Sequence, residues 1–380
     1  MQQNTSFQKG LDKMSKVVYS LMFGLHDYVG HIYQYHCSIS KVCKINSWKH
    51  IGLVPKDCKI DVPSSWEKVL AKGGWENKSL KQNLASTWKN FLFFKKFLKN
   101  KNSNDVLFIE NFSLYNVLSI ILALLFARPS CQFWILHRFV FPKYGIKTIL
   151  YKAFHRMIKL RVGKNQLVLL TDSDLLAKEQ SSLFKTEVTV VPIPHTKASD
   201  STKNNSEEVS IWWPGGSTRW DKGLDYINML SKELQLARGM KLFVANSAQG
   251  KIFDSENVIY LPTSLSTEEY YKLMKSVNLI LLPYIPSEYK LRTSGIFVEA
   301  IASGAKVITF KNTWMAHELG KYNLDKYLAI DLEEFSLDRV MQVAKLNLED
   351  KLDFMKSEYT AFHSEISLAN VIKNLNFKHF

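Results

Sequence analysis

Residues 279–310 read LILLPYIPSEYKLRTSGIFVEAIASGAKVITF, and this stretch decides the fold. An apolar run ends at Pro283 and Tyr284, as a buried strand ends at a loop. The loop leads into a helix that starts near Gly295, with Thr293 or Ser294 as its N-cap and Gly304 as its stop. A second apolar run, AKVITF, follows at once. Strand, helix and strand in succession make a βαβ unit, which builds a parallel sheet. Free backbone N–H groups at such a helix start attract phosphate. Glu299 lies just over one turn beyond Ser294, among Ile296, Phe297, Val298, Ala300 and Ile301. It is either a solvated helix charge or, as these neighbours suggest, a buried carboxylate that needs partners.

The pattern extends outward in both directions. Further strands are expected in the second half at VSIWWPGG (209–216), 241–246, 257–261 and 327–330. In the first half they are expected at 16–21, 105–110, 131–137, 166–170 and 188–191, with helical patterns at 80–99 and 114–128 between them. The run HTKASDSTKNNSEE, residues 195–208, is polar and lacks large apolar residues, so it reads as a linker. The organisation expected is a first α/β domain over 1–195, a linker at 196–208 and a second α/β domain over 209–355. The stretch 356–380 is expected to cross back onto the first domain. Each domain reads as a Rossmann-like, doubly wound parallel sheet, and ligands of such sheets sit beyond the carboxyl ends of the strands. Two sheets facing each other place the site in the cleft between them.

The segment PGGSTRWDKG, residues 214–223, ends the first strand of the second half. Gly215 and Gly216 permit a tight turn and close backbone approach. Arg219 and Lys222 stand at the strand-to-helix junction, suited to a diphosphate. The alternative is an ordinary turn with two solvated charges. The segment is neither a Walker loop nor a GxGxxG fingerprint.

The net charge of +15 is unevenly distributed: 29 Lys and Arg against 13 Asp and Glu in residues 1–200, but 21 against 22 in residues 201–380. A basic first half points to an anionic partner such as phosphate, an acidic glycan or a membrane face. No recognised nucleic-acid motif is present, so nucleic acid is not expected as a partner. Cys37, Cys43, Cys58 and Cys131 form no CxxC pair and no zinc spacing, which suits free thiols in a reducing cytoplasm. No apolar signal core opens the sequence, and the longest apolar stretch, 114–127, is too short to span a bilayer. Residues 78–101 carry seven Lys and no acid, with Leu84, Trp88, Phe91 and Leu98 at helical spacing. This helix either rests its outer face on an anionic membrane or is a core helix with a solvated Lys face. The first reading implies peripheral attachment to the inner face of the plasma membrane.

The pattern G-G-S-x-R-x-x-K-G at 215–223, followed by S-G-I-F-V-E-A-I-A-S-G-A-K-V-I at 294–308, resembles the retaining GT-B glycosyltransferases of family 4. The resemblance covers the second half in the right order. It implies that Arg219 and Lys222, with Gly215, Gly216, Ser294 and Gly295, bind the diphosphate of a nucleotide-sugar donor. It also implies that Glu299, the second Glu of the family's E-x7-E motif, binds the ribose. The first Glu of that motif falls on Leu291, a departure that leaves the sugar contacts unassigned among Glu288, Tyr289 and Arg292. In the first half, Gly30 and His31 resemble the family's glycine-rich loop near donor and acceptor. His137 ends a strand where family members place a His beside the reacting sugar, and is expected in the catalytic cleft with Glu299.

Asp172-Ser173-Asp174 imitates a metal-binding D-x-D, but it lies between a strand and a helix pattern, where a cap belongs. No metal and no cofactor are therefore expected. The function expected is a metal-independent, hexosyltransferase-like glycosyltransferase using a UDP- or GDP-linked sugar and a glycan or lipid-linked acceptor, as in lipopolysaccharide or capsule synthesis. A sugar-nucleotide epimerase and a non-catalytic GT-B-like subunit are the alternatives.

Overall fold

The computed structural model describes residues 16–27, 32–71, 79–110, 112–142, 145–194, 208–214 and 218–377. The strands of the first half are β1 Val17–Leu21, β2 Lys49–Pro55, β3 Trp66–Leu70, β4 Asp105–Glu110, β5 Gln132–Leu136, β6 Leu167–Thr171 and β7 Val188–Val190. Those of the second half are β8 Val209–Trp212, β9 Met240–Ala245, β10 Val258–Leu261, β11 Leu279–Leu282, β12 Val307–Phe310 and β13 Ala329–Ile330. They form two sheets, ordered β3-β2-β1-β4-β5-β6-β7 and β10-β9-β8-β11-β12-β13. Every pairing is parallel. Helices on both faces bury the strands, so β4, β5, β6, β11 and β12 are near-continuous apolar runs. In each sheet the order reverses once, between β1 and β4 and between β8 and β11. These two gaps are where a doubly wound sheet opens a crevice.

β2 and β3 are additions to the strands expected from sequence. Gly52 and Pro55 interrupt the apolar run of β2, and β3 carries the exposed charges Glu67 and Lys68. Gly52 is there for space: a Cβ would lie 2.5 Å from the Met22 methyl and 2.6 Å from the Trp66 ring.

Strand residues alternate between the two faces of the sheet, and this parity decides what reaches the cleft. Leu107, Ile109, Phe133, Ile135 and Leu169 pack beneath the helices Leu80–Lys99, Leu114–Phe126 and Ile146–Arg161. Val106, Phe108, Trp134, Leu136 and Leu170 pack on the opposite face against helices Ile32–Ile45 and Glu365–Phe377. That last helix comes from the far end of the chain. Ser38 donates to Glu365 at 2.9 Å, and the Asn46 amide donates to the Ala369 carbonyl at 3.0 Å. The preceding helix, Glu349–Phe362, packs on the second half beside Gly295–Ala302. Between the two helices, His363 Nδ1 accepts the Ile193 N–H at 3.0 Å.

Helix Leu80–Lys99 differs from its sequence reading. Its buried face is Asn83, Thr87, Asn90, Phe91, Phe94 and Leu98, while Leu84 and Trp88 are exposed. Two of the polar side chains in this core find partners. Thr87 donates to the Asn83 carbonyl at 2.9 Å, and Asn90 accepts the Ala71 N–H at 2.8 Å. Hydrophobicity alone therefore points to one side of the true core face, and the two readings share only Phe91 and Leu98.

Candidate functional site

The second sheet's crevice is built by two loops locked together. One follows β8 and ends in a short 3-10 turn, Trp220–Lys222, closed by Gly223. The other follows β11 and contains the short helix Pro286–Tyr289 before the helix Gly295–Ala302. Gly223 has φ 84°, and a Cβ there would fall 2.1 Å from the Pro283 carbonyl oxygen, so only glycine allows this contact. The Ile285 N–H donates to the Asp221 carbonyl at 3.0 Å, and Trp213 Nε1 donates to the Lys222 carbonyl at 3.2 Å.

These loops gather three cations around one carboxylate. Arg219 Nη2 lies 3.0 Å from Asp221 Oδ2, and Arg292 Nη1 lies 3.6 Å from the same oxygen. Arg219 also donates to the Tyr289 hydroxyl at 3.4 Å, and Arg292 stacks over the Tyr289 ring at 5.0 Å. Burial, reinforced by Arg219, pulls the Lys222 ammonium down to about 8. Three positive groups thus share one acid, while Arg219 and Arg292 remain 43% and 42% exposed. An incoming anion would complete this balance. Beside them starts the helix Gly295–Ala302, whose N-cap is Ser294; its hydroxyl accepts the Phe297 N–H at 3.3 Å.

Glu299, on that helix, is buried. Tyr270, from the helix Thr267–Ser276, donates its hydroxyl to Glu299 Oε2 at 2.8 Å. Burial pushes the Glu299 carboxyl up to about 7, with the Tyr270 hydrogen bond pulling it back. Tyr270 lies 29 positions from Glu299 in the chain, and no local motif announces it.

The first sheet's crevice holds a different group. Glu110 ends β4 at the switch point, Arg138 follows β5 and Asp172 follows β6. All three continue the parity of Val106, Trp134 and Val168, and so meet on one face. Arg138 lies 3.1 Å from Glu110 Oε1 and 3.2 Å from Asp172 Oδ2, with its guanidinium 4.3 Å over the Tyr35 ring. Burial pushes the Glu110 carboxyl up to about 6 despite Arg138. His36 stands 3.5 Å from Glu110, but burial holds its imidazole neutral, so the contact is no ion pair.

The same parity removes His137 from the cleft. It faces the helix-covered side, fully buried among Phe112, Phe139, Phe141, Tyr151 and Phe184. Its Nε2 meets His155 Nε2 at 3.1 Å, and burial holds both rings neutral. The strand end was visible in the sequence, but the neighbour, Arg138, is the residue that turns inward. Of the other expected contacts, Tyr289 and Arg292 join Arg219, Glu288 stays exposed and Leu291 is half-buried. Gly30, His31, Gly215 and Gly216 lie outside the described residues, as does most of the segment 195–208.

The two crevices face each other. Thr293 Oγ1 donates to Asp172 Oδ2 at 3.0 Å, tying the second half's loop to the first half's buried group. Asp174 pairs with Lys321 at 2.9 Å and with His317 at 3.2 Å. Ser173, between the two aspartates, caps the helix Asp174–Phe184 by accepting the Leu176 N–H at 3.3 Å. Among the described residues, Asp174, His317 and Glu318 bring ligating atoms within 4.8 Å of one another, but Lys321 already bridges Asp174 and Glu318.

No family model matches the chain, and no curated protein sequence matches it significantly. Solved structures do resemble it. A UDP-forming α,α-trehalose-phosphate synthase from Burkholderia xenovorans aligns with a TM-score of 0.65 at 8% identity, over 95% of this chain and 98% of that one. A glycosyltransferase from Rickettsia africae ESF-5 aligns at 0.59 and 11%, over 96% and 97%. The calicheamicin glycosyltransferase CalG4 aligns at 0.55 and 9%, over 95% and 98%. The chain therefore has the GT-B fold of glycosyltransferases, two Rossmann-like domains facing across a cleft.

Proposed function

We propose that this protein transfers a sugar from a nucleoside diphosphate sugar to a hydroxyl acceptor. The observation that carries the reading is the trio Arg219, Lys222 and Arg292 around the single acid Asp221. It stands at the switch point of the second sheet, beside a helix start and just ahead of the buried Glu299. Breaking the anomeric C–O bond leaves both electrons on the diphosphate. Fixed cations and helix N–H groups aimed at that charge lower the barrier. Glu299, held by Tyr270, would accept hydrogen bonds from the ribose hydroxyls and so fix the donor in place. These groups neutralise the leaving diphosphate without a metal ion. The resemblance to family 4 supports retention of configuration, with the acceptor's proton passing to the leaving phosphate oxygen. It also supports a glycan or lipid-linked glycan acceptor, as in surface polysaccharide or glycolipid assembly.

The test is nucleotide release from a panel of UDP-, GDP-, dTDP-, ADP- and CMP-linked sugars, without added metal, with and without glycan acceptors. One donor class is expected to turn over, with Arg219→Ala slowed at least about tenfold through loss of a charge-assisted contact of about 1.5–3 kcal/mol. An isomerised sugar with the nucleotide still attached would make the protein an epimerase. Tight nucleotide binding without turnover would make it a non-catalytic GT-B subunit.

A further inference from the structure

The helices Leu80–Lys99, Leu114–Phe126 and Ile146–Arg161 lie side by side over one face of the first sheet. Their outward side is apolar where a solvated surface would be polar. Leu80, Leu84, Trp88 and Leu92 recur every fourth residue, one above another, and are between 49% and 65% exposed. Leu125 and Phe126 continue the patch on the next helix. Phe91, whose ring lies 5.0 Å from Trp88 and 5.8 Å from Phe126, joins the two helices. On the third helix, Ile146 and Ile149 are also exposed, at the end away from Leu125. Single exposed apolar side chains are ordinary, but a contiguous field across two helices marks an interaction surface.

Charge selects the occupant. The three helices carry ten Lys and Arg and no Asp or Glu. Lys81, Lys89, Lys96 and Lys99 are exposed beside the stripe, and Lys95 lies 4.8 Å over the Phe126 ring. A second copy of the chain docked face to face would set cations against cations, which opposes pairing. An anionic lipid bilayer meets both features. Apolar side chains and a tryptophan enter the interface, and lysines reach the headgroups on long apolar stems. Among the described residues, no helix is long and apolar enough to cross a membrane, so contact would be lateral.

We infer that this three-helix face docks the protein onto an anionic membrane surface. Each of these helices leads from the carboxyl end of one strand back to the start of the next, so its N-terminus lies at the cleft end of the sheet. Leu80, Leu84 and Ile146 therefore place the lipid surface beside the cleft mouth, where a lipid-carried acceptor would enter. The docking surface itself does not depend on the donor reading.

The test is co-sedimentation of the full chain with vesicles of phosphatidylglycerol and phosphatidylcholine, against pure phosphatidylcholine, at low and high salt. Wild type is expected in the pellet with anionic vesicles, at least tenfold more than with zwitterionic ones, and less so at high salt. Leu84→Glu/Trp88→Glu is expected to lose at least tenfold in partitioning while keeping its melting temperature and its nucleotide binding. Leu236→Glu, at a still more exposed leucine in the other half, is expected to change nothing. Wild type that stays in the supernatant, or a double variant that pellets like wild type, overturns the inference. A dimer in solution that Leu84→Glu/Trp88→Glu dissolves would assign the face to a second copy and overturn it equally.

Discussion

The carboxyl ends of the two sheets carry charged groups of opposite economy. In the first half, Arg138 is enclosed between Glu110 and Asp172, beneath Tyr35, with its side chain only 17% exposed. Two acids meet one cation there, and both acids are buried. In the second half, three cations meet one acid, and both arginines stay accessible. A buried, paired cluster keeps its geometry whether or not a ligand is present. A cation-rich, open cluster has unspent attraction for an anion. The contrast supports the proposal that an anionic donor binds at the second half, while the first half offers a fixed wall to which Thr293 is tied.

The sharpest way to break this contrast is Arg138→Met. It leaves Glu110 and Asp172 buried without their cation, and removing one partner of such a group costs about 3–5 kcal/mol. Chemical denaturation is expected to show that loss with or without nucleotide. Arg219→Ala, in the open cluster, is expected to change the stability of the unliganded protein by no more than about 0.5 kcal/mol.

Gly223→Ala comes next. It forces a Cβ against the Pro283 carbonyl at a positive φ, a strain of about 1–3 kcal/mol from the backbone before the clash is counted. Because the contact joins the two donor loops, both melting temperature and nucleotide affinity are expected to fall together.

Glu299 sharpens the comparison through pH. Its folded pKa of about 7 lies above the ordinary glutamate value of 4.5. Its contribution to stability is therefore full below pH 4.5 and is lost as pH rises to about 7. Glu299→Gln, which cannot ionise, is expected to gain melting temperature relative to wild type across that window and hold a constant gap above it. Binding of a nucleotide sugar, whose ribose hydroxyls need the ionised carboxylate, is expected to strengthen as pH rises toward 7. It should weaken again above about 8 as Lys222 loses its proton.

The second sheet was legible in the sequence because β11 and β12 are unbroken apolar runs bounded by loop residues. The glycine in β2 and the charges in β3 hid those strands, since Gly52 makes room for Met22 and Trp66, which only the fold brings against it. Arg219, Lys222 and Ser294 were visible as residues of local loops. Tyr270 was not, because only the fold brings it to Glu299. The Glu110–Arg138–Asp172 group required parity carried across three strands, and the same parity sends His137 into an aromatic core. In Leu80–Lys99, buried Asn and Thr displaced the core face from where hydrophobicity placed it.

The central claim is that the open cluster of the second half binds a nucleoside diphosphate. Calorimetric titration without metal, using UDP, GDP, CMP, ADP and dTDP on wild type, Arg219→Ala and Glu299→Ala, tests it most directly. One nucleotide is expected to bind wild type and to lose at least about tenfold in affinity in each variant. No binding by any nucleotide, or equal binding in all three proteins, would contradict the account.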